Sequence, residues 1–168
     1  MTTAITLKDI AIHPVVEQQG AHFDALEFFP TLTKEVFEEN LPWLQPTFID
    51  PASGRVVLCV QSFVIKTPHQ NILVDTSVGN HKPRPARPFW NMMRSDRFEK
   101  NLGAAGLTVN DIDYVMCTHL HVDHVGWNTR LENGRWVPTF PKANTLWVTA
   151  SSRIGRKRRK TIRRVFPG

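Results

Sequence analysis

The sequence predicts an α+β protein, in which a mostly antiparallel sheet is flanked by helices. The first observation is a run rich in Val, Ile and Phe over 55–66, followed by turn residues and an apolar return at 72–74, which is typical of a β-hairpin. The second is helical spacing of apolar residues at 33–41 and 95–106. The third is an Asn-Gly pair between two strand-like runs over 131–137, which predicts another hairpin.

The N-terminal part contributes one strand and one helix. Short apolar alternation over 10–17 predicts the first strand, and Pro14 favours a sheet edge or a bulge there. The helix at 33–41 has Thr33 in position to cap its N-terminus. Pro42 is expected to end this helix, because it has no amide hydrogen to donate.

The central part continues with a loop, a helix and a buried strand. Three prolines among basic residues over 82–88 predict an extended, exposed loop. Ser95 is expected to cap the next helix, which Gly106 would end. A single further helical turn is predicted over 108–111, and the mostly apolar run 112–118 is typical of a buried strand.

The distribution of charge argues against a nucleic-acid-binding protein. The 168 residues carry a formal net charge of +6, but eight of the 21 basic residues lie in 153–168, where there is no acid. The remaining 13 basic residues face 15 acidic ones over 1–152, a net charge of −2. Because the basic character is confined to the last residues, nucleic acid is not an expected partner of the main domain.

The sequence also argues against a membrane protein, a secreted protein and a disulfide-rich protein. The longest apolar run, 56–60, has five residues, whereas a membrane-spanning helix needs about 20. The N-terminus shows no basic region followed by an apolar stretch, so no secretory signal is expected and a cytoplasmic location is predicted. Cys59 and Cys117 are too few for a disulfide framework, and because both fall in apolar runs we expect buried, reduced thiols.

The densest group of potential metal ligands is His119-x-His121-x-Asp123-His124, directly after the predicted buried strand. Residues i and i+2 at a strand end point the same way, so the first two histidines can bind one cation while the Asp-His pair faces a second. Neutral imidazoles with a carboxylate suit zinc, and also iron, manganese or nickel. Two such ions would lower the pKa of a shared water and polarise a carbonyl or phosphoryl oxygen. Surface histidines that hold no metal are the alternative interpretation.

The sequence Thr-His-Leu-His-Val-Asp-His-Val-Gly at 118–126 resembles the signature loop of the metallo-β-lactamase superfamily. Residues 106–113 resemble the lead-in typical of that family, and residues 72–76 resemble its earlier strand-plus-Asp motif. The segments 125–128 and 140–144 are most similar to the branch that contains N-acyl-homoserine lactonases and organophosphate hydrolases. The resemblance implies the N-terminal half of an αβ/βα sandwich.

The resemblance also implies roles for individual residues. The His-x-His pair would bind the first of two metal ions and the Asp-His pair the second. Asp123 would in addition handle the proton of the water or of the leaving group. Asp75 would support the metal ligands without binding the metal. A second interpretation of Asp75, as a turn residue that ends a strand, stays open because Ser77 stands where the family usually has glycine.

Some residues that the resemblance implies are missing. The family completes its site with a further His, a bridging Asp and a final His, but no His follows His124 and no Asp follows Asp123. The resemblance covers about residues 10–149. It therefore implies a truncated domain over 1–150 and a separate basic tail over 151–168, which is expected to be disordered.

The resemblance ends where acidic residues disappear, just after a last predicted strand at 145–149. One hypothesis is that the residues from about 149 onward result from a frameshift, a truncation or a gene-model error. A family-like continuation in another reading frame of the coding DNA would support it. The alternative is a nucleic-acid-binding or nuclear-targeting arm, although only Phe166 could stack on bases there.

The resemblance implies a metal-dependent hydrolase that cleaves a lactone, ester or amide bond of a small-molecule substrate, with a metal-held hydroxide as the nucleophile. The alternative is a catalytically incomplete fragment, at most a weak metal binder. Such a fragment would leave part of its sheet exposed, which favours self-association. No membrane partner is expected for either.

Overall fold

The structure, a computed structural model, describes residues 4–148 and 162–164. Its strands are β1 (Ile5–Leu7), β2 (Ile10–Asp24), β3 (Arg55–Lys66), β4 (Asn71–Val74), β5 (Tyr114–Cys117), β6 (Thr129–Glu132), β7 (Arg135–Pro138), β8 (Asn144–Val148) and β9 (Ile162–Arg164). Its α-helices are α1 (Ala25–Phe28), α2 (Lys34–Leu44) and α3 (Arg97–Ala104), and short 3-10 helices lie at Val109–Asp111 and Gly126–Asn128. Over these same ranges, none of the helices has the length and apolar character needed to cross a bilayer.

Within the described residues the strands form one large sheet, in the order β1-β2-β3-β4-β5-β8-β9, and a separate β6-β7 ribbon. Strand β3 pairs antiparallel with β4, and β8 pairs antiparallel with β9. The pairs β4-β5 and β5-β8 are parallel. This mixed, sheet-dominated α+β fold confirms the predicted fold class. Because β4 and β5 are parallel neighbours, the loops that follow them leave the sheet at the same edge.

Both predicted hairpins are confirmed. The first joins β3 to β4 with Phe63 opposite Val74. The second joins β6 to β7, and its turn residues Asn133 and Gly134 have φ of 49° and 78°. A two-residue turn of this kind needs positive φ at both central positions, which is why the Asn-Gly pair was informative.

The strand predicted at 10–17 and the helix predicted at 33–41 both end later than expected. Strand β2 continues to Asp24. Thr33 does cap helix α2, since its hydroxyl accepts the amide hydrogen of Val36 at 3.3 Å. The predicted stop at Pro42 is wrong, because α2 continues to Leu44 with the proline inside it. Pro42 lies in the last turn, so its missing amide removes one helical hydrogen bond from a segment that is about to end.

The next helix begins one residue later than predicted. Asp96, not Ser95, occupies the N-cap position of α3, although the Ser95 hydroxyl accepts the amide hydrogen of Arg97 at 3.2 Å. Gly106 follows the helix with a φ of 75°, as expected for a helix-ending glycine. The predicted further turn is confirmed as the 3-10 helix at Val109–Asp111, which has a complete capping box.

The described chain divides into two compact units, one of residues 1–17 with 61–168 and one of residues 18–60. The first unit has a core in which α3 packs against the sheet. Its fully buried apolar residues include Val64, Leu73, Phe98, Leu102 and Val115. Cys117 belongs to this core as predicted.

The second unit has a smaller core formed by Ala25, Ile49 and Val56. Its apolar side chains also line an open cleft of about 420 Å³, which Trp43 and Phe48 border. The prediction of a buried thiol is wrong for Cys59, which is exposed on β3. An apolar run does not reveal which face of a strand each side chain takes, and Cys59 alternates with the half-buried residues on either side. The predicted tail at 151–168 lies outside the described residues except for β9.

Candidate metal centre

Two loops at one edge of the sheet form the candidate site. The aspartate loop, residues 75–79, follows β4, and the metal loop, residues 118–126, follows β5. Backbone hydrogen bonds join them: the amide of Thr76 donates to the carbonyl of His124 at 2.8 Å, and the amide of Gly126 donates to the carbonyl of Ser77 at 2.7 Å. The amide of Trp127 donates to the carbonyl of Thr76 at 2.7 Å. The two loops therefore form one paired unit.

The contact between the loops is so close that it requires glycine. A Cβ atom on Gly126 would lie 1.8 Å from the carbonyl oxygen of Val78 and 1.9 Å from its carbon. Gly79, on the other side of the contact, has a φ of 74° and would place a Cβ 2.5 Å from the carbonyl carbon of Gly126. Because all these neighbours are backbone atoms, a side chain at either position cannot be accommodated by a rotamer change.

Asp75 connects the two loops through its side chain. Its backbone adopts the left-handed region, with φ of 57°, a conformation that aspartate tolerates better than most residues. Its carboxylate accepts hydrogen bonds from the amide of Thr118 at 2.8 Å and from the hydroxyl of Thr118 at 2.8 Å. The same carboxylate lies 2.9 Å from Nδ1 of His124. Buried to 8% exposure, Asp75 is both a turn residue and a partner of the metal loop.

These contacts assign the tautomers of two histidines. An ionised Asp75 can only accept, so His124 donates to it from Nδ1 and carries a lone pair on Nε2. The single hydroxyl hydrogen of Thr118 is directed to Asp75, so Thr118 accepts from Nδ1 of His119 at 3.1 Å. His119 therefore also carries its lone pair on Nε2. A carboxylate that orients a histidine in this way is typical of metal sites.

The structure places each of the four predicted ligands beside at least one of the others. The ring centroids of His119 and His121 are 4.5 Å apart, and those of His119 and His124 are 3.9 Å apart. Oδ2 of Asp123 lies 3.5 Å from Nε2 of His124. The alternation of side chains along a strand does not produce this arrangement, because β5 ends at Cys117 and the ligands follow in turns.

The donor set fits a divalent cation in its chemistry. Within residues 4–148 and 162–164, no three His, Cys, Asp or Glu side chains converge in a ready-made ligand group. Nevertheless Nε2 of His124 lies 3.5 Å from Oδ2 of Asp123, close enough for one cation to contact both atoms. His119 and His121 are exposed, so their rings are accessible from solvent. The residues form two ligand pairs, whereas a catalytic zinc usually has three protein ligands.

Sequence reasoning missed two charged residues beside this centre. Glu17 is 1% exposed, and its carboxylate accepts hydrogen bonds from the amides of Val78 at 2.7 Å and Gly79 at 3.0 Å, and from the indole of Trp127. Burial raises the pKa of Glu17, while these hydrogen bonds oppose the rise. The available signal was its strand phase, because Glu17 follows the buried Val15 on the same face of β2.

The second missed residue is Arg84, in the predicted exposed loop. Its guanidinium donates to the carbonyl of Val78 at 2.9 Å and to the carbonyl of Val122 at 3.1 Å. Burial lowers the pKa of Arg84, and the negative charges of Glu17 and Asp123 counteract this. The guanidinium remains protonated, as arginine does in proteins.

The fold and the paired loops define an α+β protein with a histidine-rich loop at the carboxyl ends of parallel strands. The chain belongs to the metallo-beta-lactamase superfamily, since the model of that family matches residues 56–146, more than half of the sequence. The resemblance seen in the sequence is thereby confirmed. No curated protein matches the chain.

Solved structures share this fold. One is AidC, a dizinc quorum-quenching lactonase in complex with a product, with 22% identity and a TM-score of 0.65 over 86% of this chain and 43% of its own. Another is a probable metal-dependent hydrolase from Staphylococcus aureus, with 24% identity and a TM-score of 0.63 over 84% of this chain and 47% of its own. A third is the hydrolase AbOPH, with 23% identity and a TM-score of 0.61 over 86% and 43%. The chain thus spans less than half the length of these structures.

Proposed function

We propose that the protein is a metal-dependent hydrolase that acts on a lactone, ester or amide bond of a small molecule. The single observation that carries the proposal is the line of contacts from Asp75 through His124 to Asp123, with separations of 2.9 Å and 3.5 Å. It gives a ligand histidine a fixed tautomer and directs its free nitrogen toward a carboxylate. Zinc is the expected ion, and iron, manganese or nickel suit the same donors.

Each predicted site residue would have a separate role in binding the metal ions or in orienting their ligands. His119 and His121 would hold one ion, and Asp123 and His124 a second. When bound, such ions polarise the substrate carbonyl and lower the pKa of water. Asp75 would keep the imidazoles oriented, which is the role of a carboxylate that supports a metal ligand.

Asp123 would act as the proton carrier. In the hydrolysis, a water oxygen bonds to the acyl carbon and the bond from that carbon to the leaving oxygen or nitrogen breaks. Asp123 would take one proton from the water and return it to the leaving atom, so that its own carboxylate ends the cycle ionised, while the second proton of the water leaves with the carboxylic acid product. It is half-buried, and so is accessible to a substrate that approaches the metal loop.

Metal content and turnover of the full chain test the proposal. We expect two bound zinc ions per chain and hydrolysis of a lactone or ester, both reduced strongly in His121→Ala. The matched control is His69→Ala, because His69 is an exposed histidine in the β3–β4 turn. Zinc binding and turnover that are absent from the wild type, or equal in the two variants, would contradict the proposal.

A second candidate function is that of a catalytically incomplete chain, at most a weak metal binder that self-associates. Two observations favour it: the ligand-type residues form pairs instead of triplets, and an apolar row crosses the sheet. Phe63, at 38% exposure, pairs with Val74, which pairs with Met116 at 44% exposure. Concentration-dependent association in analytical ultracentrifugation without turnover would support this candidate, and a monomer that turns over substrate would exclude it.

A further inference from the structure

Arg84 is held in place by its own loop. Prolines at 83 and 85 restrict the backbone on both sides of it. Its amide donates to the side-chain oxygen of Asn91 at 2.7 Å. Two residues earlier, Lys82 donates to the carbonyl of Thr129 at 2.8 Å. The guanidinium is therefore presented from a fixed backbone instead of a freely moving loop.

The two arms of Arg84 reach the two loops of the metal centre. One arm donates to the carbonyl of Val78 in the aspartate loop, and the other donates to the carbonyl of Val122 in the metal loop. Val122 lies between two predicted ligands, His121 and Asp123. Because this carbonyl belongs to the backbone that joins the two residues, a hydrogen bond to it restrains the positions of both.

Glu17 binds the same residue, Val78, but it accepts a hydrogen bond where Arg84 donates one. Its carboxylate accepts from the amide of Val78, whose carbonyl accepts from Arg84, so both polar backbone groups of one residue are bound by charged side chains. Glu17 also accepts from Gly79 and from the indole of Trp127, just beyond the metal loop. Hydrogen bonds to charged groups are stronger than those between neutral groups.

We propose that Arg84 is a positioning residue for the metal loop and that it acts with Glu17 through the backbone of Val78. This inference rests on the proposed function, because Arg84 would affect activity only by positioning the proposed metal ligands. Arg84 need not touch a metal or a substrate. It fixes the ligand-bearing backbone, and residues that support metal ligands typically change metal affinity 10–100-fold.

The test compares Arg84→Gln and Arg84→Lys with the control Arg94→Gln in the full chain, since Arg94 is an exposed arginine. Zinc affinity is measured by competition with a chromophoric chelator. We expect Arg84→Gln to weaken zinc binding about tenfold or more. Arg84→Lys should have a smaller effect, because an ammonium is a point charge that lacks the fork of the guanidinium. The control should match the wild type.

Amide hydrogen exchange of the metal-free protein gives a second readout that needs no zinc. The amide of His124 donates to the carbonyl of His121 at 3.0 Å, so it reports on the metal loop itself. We expect its exchange to accelerate about tenfold in Arg84→Gln, while core amides in β4 keep their wild-type rates. Equal acceleration everywhere would indicate a merely structural role and overturn the proposal, as would wild-type exchange at His124.

The two readouts separate the two proposals. A wild type that binds no zinc but shows local acceleration in Arg84→Gln would refute the proposed function and retain the positioning role. If the wild type binds zinc, and Arg84→Gln has the same zinc affinity and the same exchange rate at the His124 amide, the proposed function is retained and the positioning role is refuted.

Discussion

Replacement of Gly126 by alanine is expected to separate the two loops of the metal centre. The added Cβ would lie 1.8 Å from the carbonyl oxygen of Val78, so one backbone must move. The three backbone hydrogen bonds that join the loops would be strained or lost, at about 1 kcal/mol each. Overpacking adds about 1–3 kcal/mol. We therefore expect Gly126→Ala to lower the free energy of unfolding by about 4–6 kcal/mol, a large share of the 5–15 kcal/mol typical of a domain.

Urea unfolding of the metal-free protein measures this loss. The control is Gly103→Ala, because a Cβ at that position of α3 meets no atom within 4 Å. Alanine there should stabilise the helix by about 0.5–1 kcal/mol. A loss below about 1 kcal/mol in Gly126→Ala would refute the argument that the loops are in backbone contact at this point.

Two further predictions concern single carboxylates. Asp75→Ala should weaken zinc binding about 10–100-fold, because His124 loses its partner and Thr118 loses its acceptor; unchanged affinity in chelator competition would contradict this. Hydrogen bonds from Thr108 lower the pKa of Asp111, so this group stabilises the fold above its unfolded pKa, and the stabilisation is lost as pH falls through the folded pKa. Asp111→Asn should therefore flatten the fall of stability below about pH 4 in acid titrations followed by circular dichroism, and a variant with the same pH profile as the wild type would count against the assignment.

Local patterns predicted local structure well. The Asn133-Gly134 turn and the Thr108 capping box each depend on a few neighbouring residues, and both are confirmed. Helix ends were less predictable, because Pro42 costs only one hydrogen bond where α2 is about to end. The residue type gives the energetic cost of a proline in a helix, but the position in the helix and the surrounding packing decide whether the helix continues past it.

The candidate site was predicted only where its residues are adjacent in sequence. The four ligand-type residues of the metal loop lie within six positions, so they are recognisable from the sequence alone. Glu17 and Arg84 lie far from this loop along the chain, and their roles depend on backbone groups of Val78 and Val122. Any residue provides a carbonyl or an amide, so no side-chain pattern marks such a contact. Parallel pairing of β4 with β5 brings the two loops side by side, and only the folded structure shows that Glu17 and Arg84 contact them.

The contact between Glu17 and Trp127 has a consequence for the order in which the chain becomes structured during synthesis. The two residues are 110 positions apart, which at ribosomal rates of 5–20 residues per second amounts to about 5–20 s. Throughout that interval the Glu17 carboxylate has emerged without the indole that it accepts from in the finished protein. Burying an ion without all of its partners is costly, so Glu17 is expected to remain hydrated until both the aspartate loop and Trp127 have been made. Strand β2 would thus complete its packing late, although it is made before the loops that Glu17 contacts.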